Sequence, residues 1–332
     1  MSLISRILKA NPSAQVSSVL TGSFTIPSAK GAFDPFIYYS SARGLFAGGS
    51  TGVISDVIDY IQIETTGNAT DFGDLTVSRF DLAGVSSTTR AVFGGGENAN
   101  QSVLYNVLDY VTIASTGNAT NFGTLTSNYG YQPGSCSNSI TGLFGGGYPG
   151  SGSTPLIGID YITIASTGNA TDFGDLSQAR RGNAGLASNT RGVIAGGYTG
   201  SYVNTIDYVT IATTGNATDF GDLTVGRYNP AGCSSPTRGL VMGGNAGAAD
   251  LNVIDYITIA TTGNAIDFGD LTVARNGACA SSSIRGVLAG GYSSNVIDYV
   301  TIASLGNATD FGDSTLIRHI PAGASSGHGG LS

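Results

Sequence analysis

The chain has no tryptophan, three cysteines, two histidines and two methionines in 332 residues, and charged residues make up only 11% of it. Each scarcity excludes something. Three cysteines cannot pair completely, and Cys136, Cys233 and Cys279 fall on corresponding segments of different repeats. They are therefore expected to be reduced, buried and far apart. His319 and His328 have no matching cluster of cysteines, histidines and carboxylates, so no zinc centre, and no metal or cofactor of any kind, is expected. Fourteen Lys and Arg against 22 Asp and Glu give a net charge of −8. With no basic stripe to neutralise phosphates, nucleic acid is not an expected partner. No segment approaches the roughly 18 uninterrupted apolar residues that cross a bilayer. The segment Met1–Ala10 lacks the apolar core of a secretory signal, which implies assembly in the cytoplasm of the producing cell.

What is abundant is glycine. The 51 glycines are about 15% of the chain, roughly twice average usage, with only nine prolines and no every-third-residue period. This excludes collagen and favours a turn-rich all-β protein. A chain of this length exceeds what one ordinary core fills, so it is either two domains or a repeat array.

The repeats decide. Ile/Leu-Asp-Tyr recurs six times, with Asp at 59, 109, 160, 207, 255 and 298. Each copy runs into a Thr-Ile-Ala-like strand, a Thr-Gly-Asn-Ala turn and a Phe-Gly segment, then a small-residue stretch and an apolar strand ending in Gly-Gly. The period is about 48 residues. Four strand-sized runs per repeat, numbered as a blade would use them, are typified by Ala231–Ser235, Gly239–Gly244, Val253–Ala260 and Asp267–Leu271. Strand 1 is built from Gly, Ala, Ser and Cys, as required where inner strands crowd round an axis. Strands 2 and 3 are apolar on both faces, as for strands sandwiched between sheets. The Gly-Asn pair suits a tight hairpin between strands 3 and 4.

Four-stranded units at this period predict a β-propeller. The order resembles the Kelch repeat: Gly-Gly after strand 2, an aromatic in strand 3, and an arginine after strand 4 (Arg79, Arg180, Arg227, Arg275, Arg318). The tryptophan usual in Kelch strand 4 is replaced by Phe72, Phe122, Phe173, Phe220, Phe268 and Phe311, so the unit is Kelch-like. Strand 1 occurs seven times, beginning near Phe36, Leu82, Gln132, Asn183, Pro230, Gly277 and Pro321. Residues 15–33 align with strands 3 and 4, and residues 321–332 with strand 1 and a shortened strand 2. Joining them predicts a seventh, split blade; six blades with free terminal arms is the alternative. The domain reading is an N-terminal arm over 1–14 and one propeller over 15–332.

Of the 22 acidic residues, 16 occupy fixed repeat positions, and Arg43, Arg90, Arg191, Arg238 and Arg285 recur before strand 2. Charges repeated in every blade predict interblade pairs and turn hydrogen bonds rather than a site. The Asp-Phe-Gly copies lack the loops that give a kinase triad its meaning. No carboxylate pair outside the pattern suggests a glycosidase. The Asn-Ala-Thr sequons at Asn68, Asn118, Asn169, Asn216 and Asn307 read as hairpin turns. No enzyme is expected.

Variation is confined to one loop. From each strand-3 Asp to the last Gly of the next Gly-Gly the distance is 36–38 residues, whereas from that Gly to the next Asp it runs from 7 to 13. Repeat proteins often place such insertions on a binding face. The strand 2–3 loops carry the nonrepeating residues Glu97, Asn98, Asn100, Gln101, Tyr105, Tyr148, Tyr198, Tyr202, Asn245, Asp250, Tyr292 and Asn295. These are the candidate contact residues for a partner or receptor, since Tyr and Asn make adaptable contacts at low entropic cost.

The near-identical unit Ile-Asp-Tyr-Ile-Thr-Ile-Ala-Thr-Thr-Gly-Asn-Ala-Thr-Asp-Phe-Gly-Asp-Leu resembles repeats of virion proteins of tailed phages, especially those of cyanobacteria, over roughly residues 36–326. The resemblance implies a structural virion component of the tail-fibre, baseplate or appendage type, present in multiple copies. Its implied partners are other tail, baseplate or capsid proteins and a host-surface glycan or protein. A connector or decoration protein is the second reading, and a glycan-processing enzyme a distant third.

Overall fold

The structure is a computed structural model that describes residues 42–98, 102–128, 130, 133–150, 153–292, 294–319 and 321–327. Six four-stranded antiparallel sheets stand in a ring as the blades of a β-propeller. Blade A contains β1 (Arg43–Ala47), β2 (Val57–Gln62) and β3 (Thr70–Asp74). Blade B runs from β4 (Phe80–Ser86) to β7 (Thr120–Thr124), and blade C from β8 (Gly134–Ser137) to β11 (Thr171–Asp175). Blade D runs from β12 (Ala184–Ala187) to β15 (Thr218–Asp222), and blade E from β16 (Ala231–Ser234) to β19 (Ile266–Asp270). Blade F runs from β20 (Ala278–Ser281) to β23 (Thr309–Asp313), and β24 (Ala322–Ser325) follows.

The number of blades corrects the seven-blade expectation. β24 pairs antiparallel with β1, Gly44 opposite Ser325 and Ala47 opposite Ala322, and so becomes the inner strand of blade A. The copy near Pro321 therefore completes the first blade instead of starting a seventh, and all six sheets reach four strands without residues 15–33. Those residues, the 1–14 arm and the copy near Phe36 lie outside the described residues. The physical reason for the closure is crowding at the axis. A Cβ at Gly323 would overlap the Cys279 carbonyl oxygen, and one at Gly84 would overlap the carbonyl oxygen of Gly323. Six residues before Arg43, where blades B, D and E have Gly84, Gly185 and Gly232, the chain has Ile37. The small-residue strand at the C-terminal end brings Gly323 to that place. Crowding also corrects the cysteine reading. All three are free and buried, but Cys233 and Cys279 share one core cluster, because corresponding segments of adjacent inner strands converge.

Each blade contributes a hydrophobic layer to the next. The strand-3 tyrosine meets the strand-4 phenylalanine edge to face, as in Tyr60–Phe72 at 5.9 Å and Tyr208–Phe220 at 5.9 Å. The six phenylalanines are 2–3% exposed, so the Tyr–Phe pair is a repeated part of the packing between blades.

Between blades, the fixed charges pair as expected. Arg79–Asp109 (2.8 Å), Arg180–Asp207 (3.0 Å), Arg275–Asp298 (2.8 Å), Arg318–Asp59 (2.6 Å) and Arg227–Asp255 are buried ion pairs. In each, the arginine leaving one blade reaches the strand-3 aspartate of the next. The second arginine class lies over the strand-3 tyrosine of its own blade, 4.3–4.8 Å from the ring centroid. Its guanidinium donates to a carbonyl of the following blade, as from Arg43 to Ile113 and from Arg238 to Ile302.

Four alternating strands divide the connections between two faces. The strand 1–2 and 3–4 hairpins lie on one, the turn face; the strand 2–3 loops and the links from blade to blade lie on the other, the loop face. On the turn face each Gly-Asn-Ala turn clamps its neighbour. Gly117 N donates to Phe72 O, Asn118 Oδ1 accepts from Asp74 N, and Ala119 N donates to Asp74 O. The five other junctions repeat the clamp. This explains the Phe-Gly segment: a Cβ at Gly73, where φ is +147°, would lie 2.5 Å from the Gly117 carbonyl.

Candidate functional site

In every blade but B, the strand 2–3 loop begins on the ion-pair framework. The two glycines after strand 2 both have positive φ, 73° and 108° at Gly146 and Gly147, which turns the chain out onto the loop face. The second glycine donates its N–H to the carbonyl of the arginine that closes the same blade, as Gly147 to Arg180 (2.8 Å) and Gly197 to Arg227 (2.8 Å). Loops of unequal length therefore start from equivalent, rigid points.

Three of the twelve candidate residues converge. The Arg181 guanidinium lies 4.3 Å from the ring centroid of Tyr148, 5.5 Å from that of Tyr198 and 5.9 Å from that of Tyr228. Tyr198 packs edge-on against Tyr202 at 5.4 Å and Tyr228 at 6.1 Å. Backbone bridges hold the group: Arg181 pairs with Tyr198, Tyr198 with Tyr202, and Tyr228 with Asn245. The cluster spans blades C, D and E, and Tyr202 at its edge is 41% exposed. Stacking of a guanidinium among tyrosines is stabilising by cation–π attraction. It also fixes rings that present flat apolar area with hydroxyls at the rim.

Arg181 and Tyr228 are missed by loop-length reasoning because both sit in the blade-to-blade links, whose length is nearly constant. One signal was present. Arg180-Arg181 is the only doubled arginine after a strand 4, and its second member stands outside the repeat.

Glu97 proves not to be a surface contact. It ends the second strand of blade B opposite Phe80 and is 0% exposed, with the neighbouring Asp81 at 2%. Among the described residues neither Glu97 carboxylate oxygen has a hydrogen-bond partner. Burial pushes the Glu97 carboxyl up to about 7, partly opposed by Arg181. Asp81 is raised well above the usual range by burial and then by Glu97, again opposed by Arg181. Asp81 has φ of 58°, a conformation that Asp tolerates better than most residues.

The remaining candidates separate. Asn98 closes its own loop, its Oδ1 accepting from Ser102 N and Val103 N at 3.0 Å, and Tyr105 is half-buried with its N–H on Gly96 O. Asn245 Nδ2 donates to Asp250 Oδ1 at 3.0 Å, which braces the blade E loop. Tyr292 is 74% exposed and meets His319 edge-on at 5.2 Å. The His319 ring, 3.0 Å from Asn276 Nδ2, is held below its ordinary pKa by burial, with Asp250 acting the other way. Asn295 is half-buried, with its carbonyl on Ser314 N. Asn100, Gln101 and His328 lie outside the described residues.

No protein-family model matches the chain, and no curated protein sequence matches it.

The axis offers a ligand little room. The cavity at the start of the inner strands is about 50 Å³, ringed by Leu82, Pro133, Asn183, Pro230, Gly277 and Pro321, space for a water or two. Among the described residues no group of three or more His, Cys, Asp or Glu is placed to hold a metal. The Cys136 thiol is pushed up to about 12 by burial, the opposite of what a nucleophile requires.

Proposed function

We propose that this chain is a non-enzymatic structural protein of a tailed-phage virion, a tail-fibre or appendage propeller that attaches to a host-surface glycan or protein through its loop face. The repeat unit's resemblance to phage virion proteins supports the virion reading. The observation that carries the attachment reading is the Tyr148–Arg181–Tyr198–Tyr202–Tyr228 cluster, assembled from nonrepeating residues of three blades. Aromatic side chains dominate binding energy where they are pre-positioned, and this cluster lies on the loop face, outside the repeat-fixed Arg–Tyr–Phe stacks of the blades.

The carboxyl pair that Asp81 and Glu97 form outside the repeat is buried, whereas a glycosidase pair must flank a bound sugar. That favours the non-enzymatic reading. The connector reading uses the same face, with a neighbouring virion protein in place of the host.

Two measurements test the proposal together. Mass spectrometry of purified particles should find the chain, and its absence from virions would end the virion reading. Tyr148→Ala and Tyr202→Ala should each weaken attachment to the host envelope by about 1–4 kcal/mol while leaving the melting temperature nearly unchanged. Attachment unaffected by both variants would refute the loop-face assignment.

A further inference from the structure

On the turn face, three exposed positions per blade are repeated without any part in building the ring. Thr-Gly-Asn-Ala-Thr-Asp at residues 66–71 recurs unchanged at 167–172 and 214–219, and with one substitution each at 116–121, 262–267 and 305–310. The Gly, Asn and Ala of this motif are accounted for by the interblade clamp. Thr66, Thr70 and Asp71 are exposed, and no hydrogen bond or ion pair engages their side chains or those of their counterparts among the described residues.

Two ordinary explanations fall short. An exposed outer strand must be polar to resist edge pairing, but any mixture of polar residues would serve. Recent duplication would keep all exposed positions alike, yet the same units differ from blade to blade on the loop face.

The first two of these positions border a groove. In blade A it is about 290 Å³, set between the Tyr60 ring and the turn, with Thr65, Thr66, Asn68 and Thr70 along it. In blade E it is about 330 Å³, between Tyr256 and Thr261, Thr262 and Asn264. These volumes stand at the lower end of small-ligand sites. Asn68 uses its Oδ1 on Asp313 N, which leaves Nδ2 to donate. Threonine hydroxyls both donate and accept, and the tyrosine offers ring area beside them.

We propose that the turn face carries a repeated set of shallow carbohydrate sites, one per blade, each taking a single neutral pyranose ring. The groove supplies hydroxyls, an amide and an aromatic edge. That inventory matches a ring of hydroxyls better than an ion or an extended apolar chain. A single site of this kind is weak, on the order of millimolar, and a set of coplanar copies gains by avidity on a polymer of repeating sugars. The inference does not depend on the loop-face reading and concerns the opposite side of the ring.

Saturation-transfer NMR and calorimetry on the full chain with the methyl glycosides of glucose, galactose, mannose and N-acetylglucosamine test it. One of the four should bind with about four to six sites per chain. The double variant Thr66→Trp/Thr214→Trp fills two grooves at exposed positions and should remove about two sites with Kd and melting unchanged. Thr66→Glu/Thr214→Glu should give the same loss, which separates blocking from misfolding. Absence of binding by all four glycosides at about 100 mM would overturn the proposal. So would binding that survives both double variants but is lost in Tyr202→Ala, since the sugar would then sit on the loop face.

Discussion

The two faces of the ring are built by the same six repeats and have been treated differently. On the turn face each junction uses the same three hydrogen bonds, from Gly117 N to Phe72 O, from Asp74 N to Asn118 Oδ1 and from Ala119 N to Asp74 O in the first instance. On the loop face the residue after Gly-Gly is Ser50, Glu97, Tyr148, Tyr198, Asn245 or Tyr292; its backbone repeats one bridge to the preceding link, as Tyr148 to Gly130 and Tyr198 to Arg181, while the side chains it presents differ. Beneath both runs the ring of buried Arg–Asp pairs. The loops are free to differ because their bases, the Gly-Gly turns, are tied in every blade but B to the arginine carbonyls of that ring. Stability therefore resides in the repeated positions, and recognition has room where the repetition stops.

The sharpest way to break this comparison is to remove one repeated charge. Asp255 is fully buried and holds Arg227, Thr224 N and Thr224 Oγ1. Asp255→Ala leaves an arginine buried without its counter-charge, which typically costs about 3–5 kcal/mol. Denaturant unfolding should show a loss of that size. A loss below about 1 kcal/mol would mean that the ring of pairs is not what holds the blades together.

Much of this framework was legible because it repeats. The Asp in strand 3, the Arg after strand 4 and the Gly-Asn turns announce interblade roles by recurring at fixed spacing, and the Tyr–Phe packing follows from the same register. The blade count was less legible, because seven strand-1 copies compete for six places. The decision rests on whether a Cβ fits beside Cys279 and Gly84, which spacing does not encode. Departures in blade C were visible but carried no geometry. Asn128-Tyr129-Gly130 replaces the arginine that would meet Asp160, and Thr141 replaces the arginine before strand 2. Asp160 keeps the threonine bonds most of its counterparts have, accepting from Thr126 N at 2.8 Å and Thr126 Oγ1 at 2.7 Å. The site was half legible: loop length drew attention to Tyr148, Tyr198 and Tyr202, but not to Arg181 and Tyr228, nor to the burial of Glu97.

A smaller effect is expected where the turn face is tightest. A Cβ at Gly174, φ +146°, would lie 2.5 Å from the carbonyl carbon of Gly215. Gly174→Ala must push the clamp apart or strain its own backbone, at a cost of about 1–3 kcal/mol. Gly200 on the loop face also has positive φ, 117°, but a Cβ there meets nothing within 4 Å. Gly200→Ala should therefore lose only the conformational part. Equal melting temperatures for the two variants would mean that the Gly–Gly approach between blades is not a real constraint.

The smallest effect concerns the one place where the loop face intrudes on the interior. Glu97 is buried without a hydrogen-bond partner among the described residues, and its carboxyl is raised from 4.5 to about 7. A group whose folded pKa lies above its unfolded value stabilises the fold fully at acid pH. Its contribution is lost as pH rises from the unfolded pKa through the folded one. The native protein should thus lose stability between about pH 4.5 and pH 7 and change little from this source above that. Asp81, raised in the same direction by burial and by Glu97, widens the window, and the nearby Arg181 limits the size of the effect. Glu97→Gln removes the titration while keeping shape, so it should be more stable than the parent at pH 7.5 by on the order of 1 kcal/mol. At pH 4.5 it should be indistinguishable from the parent. Melting curves at the two pH values decide it, for a gain in Glu97→Gln at pH 4.5 as large as that at pH 7.5 would show that the amide gains new hydrogen bonds and that the charge of the glutamate is irrelevant.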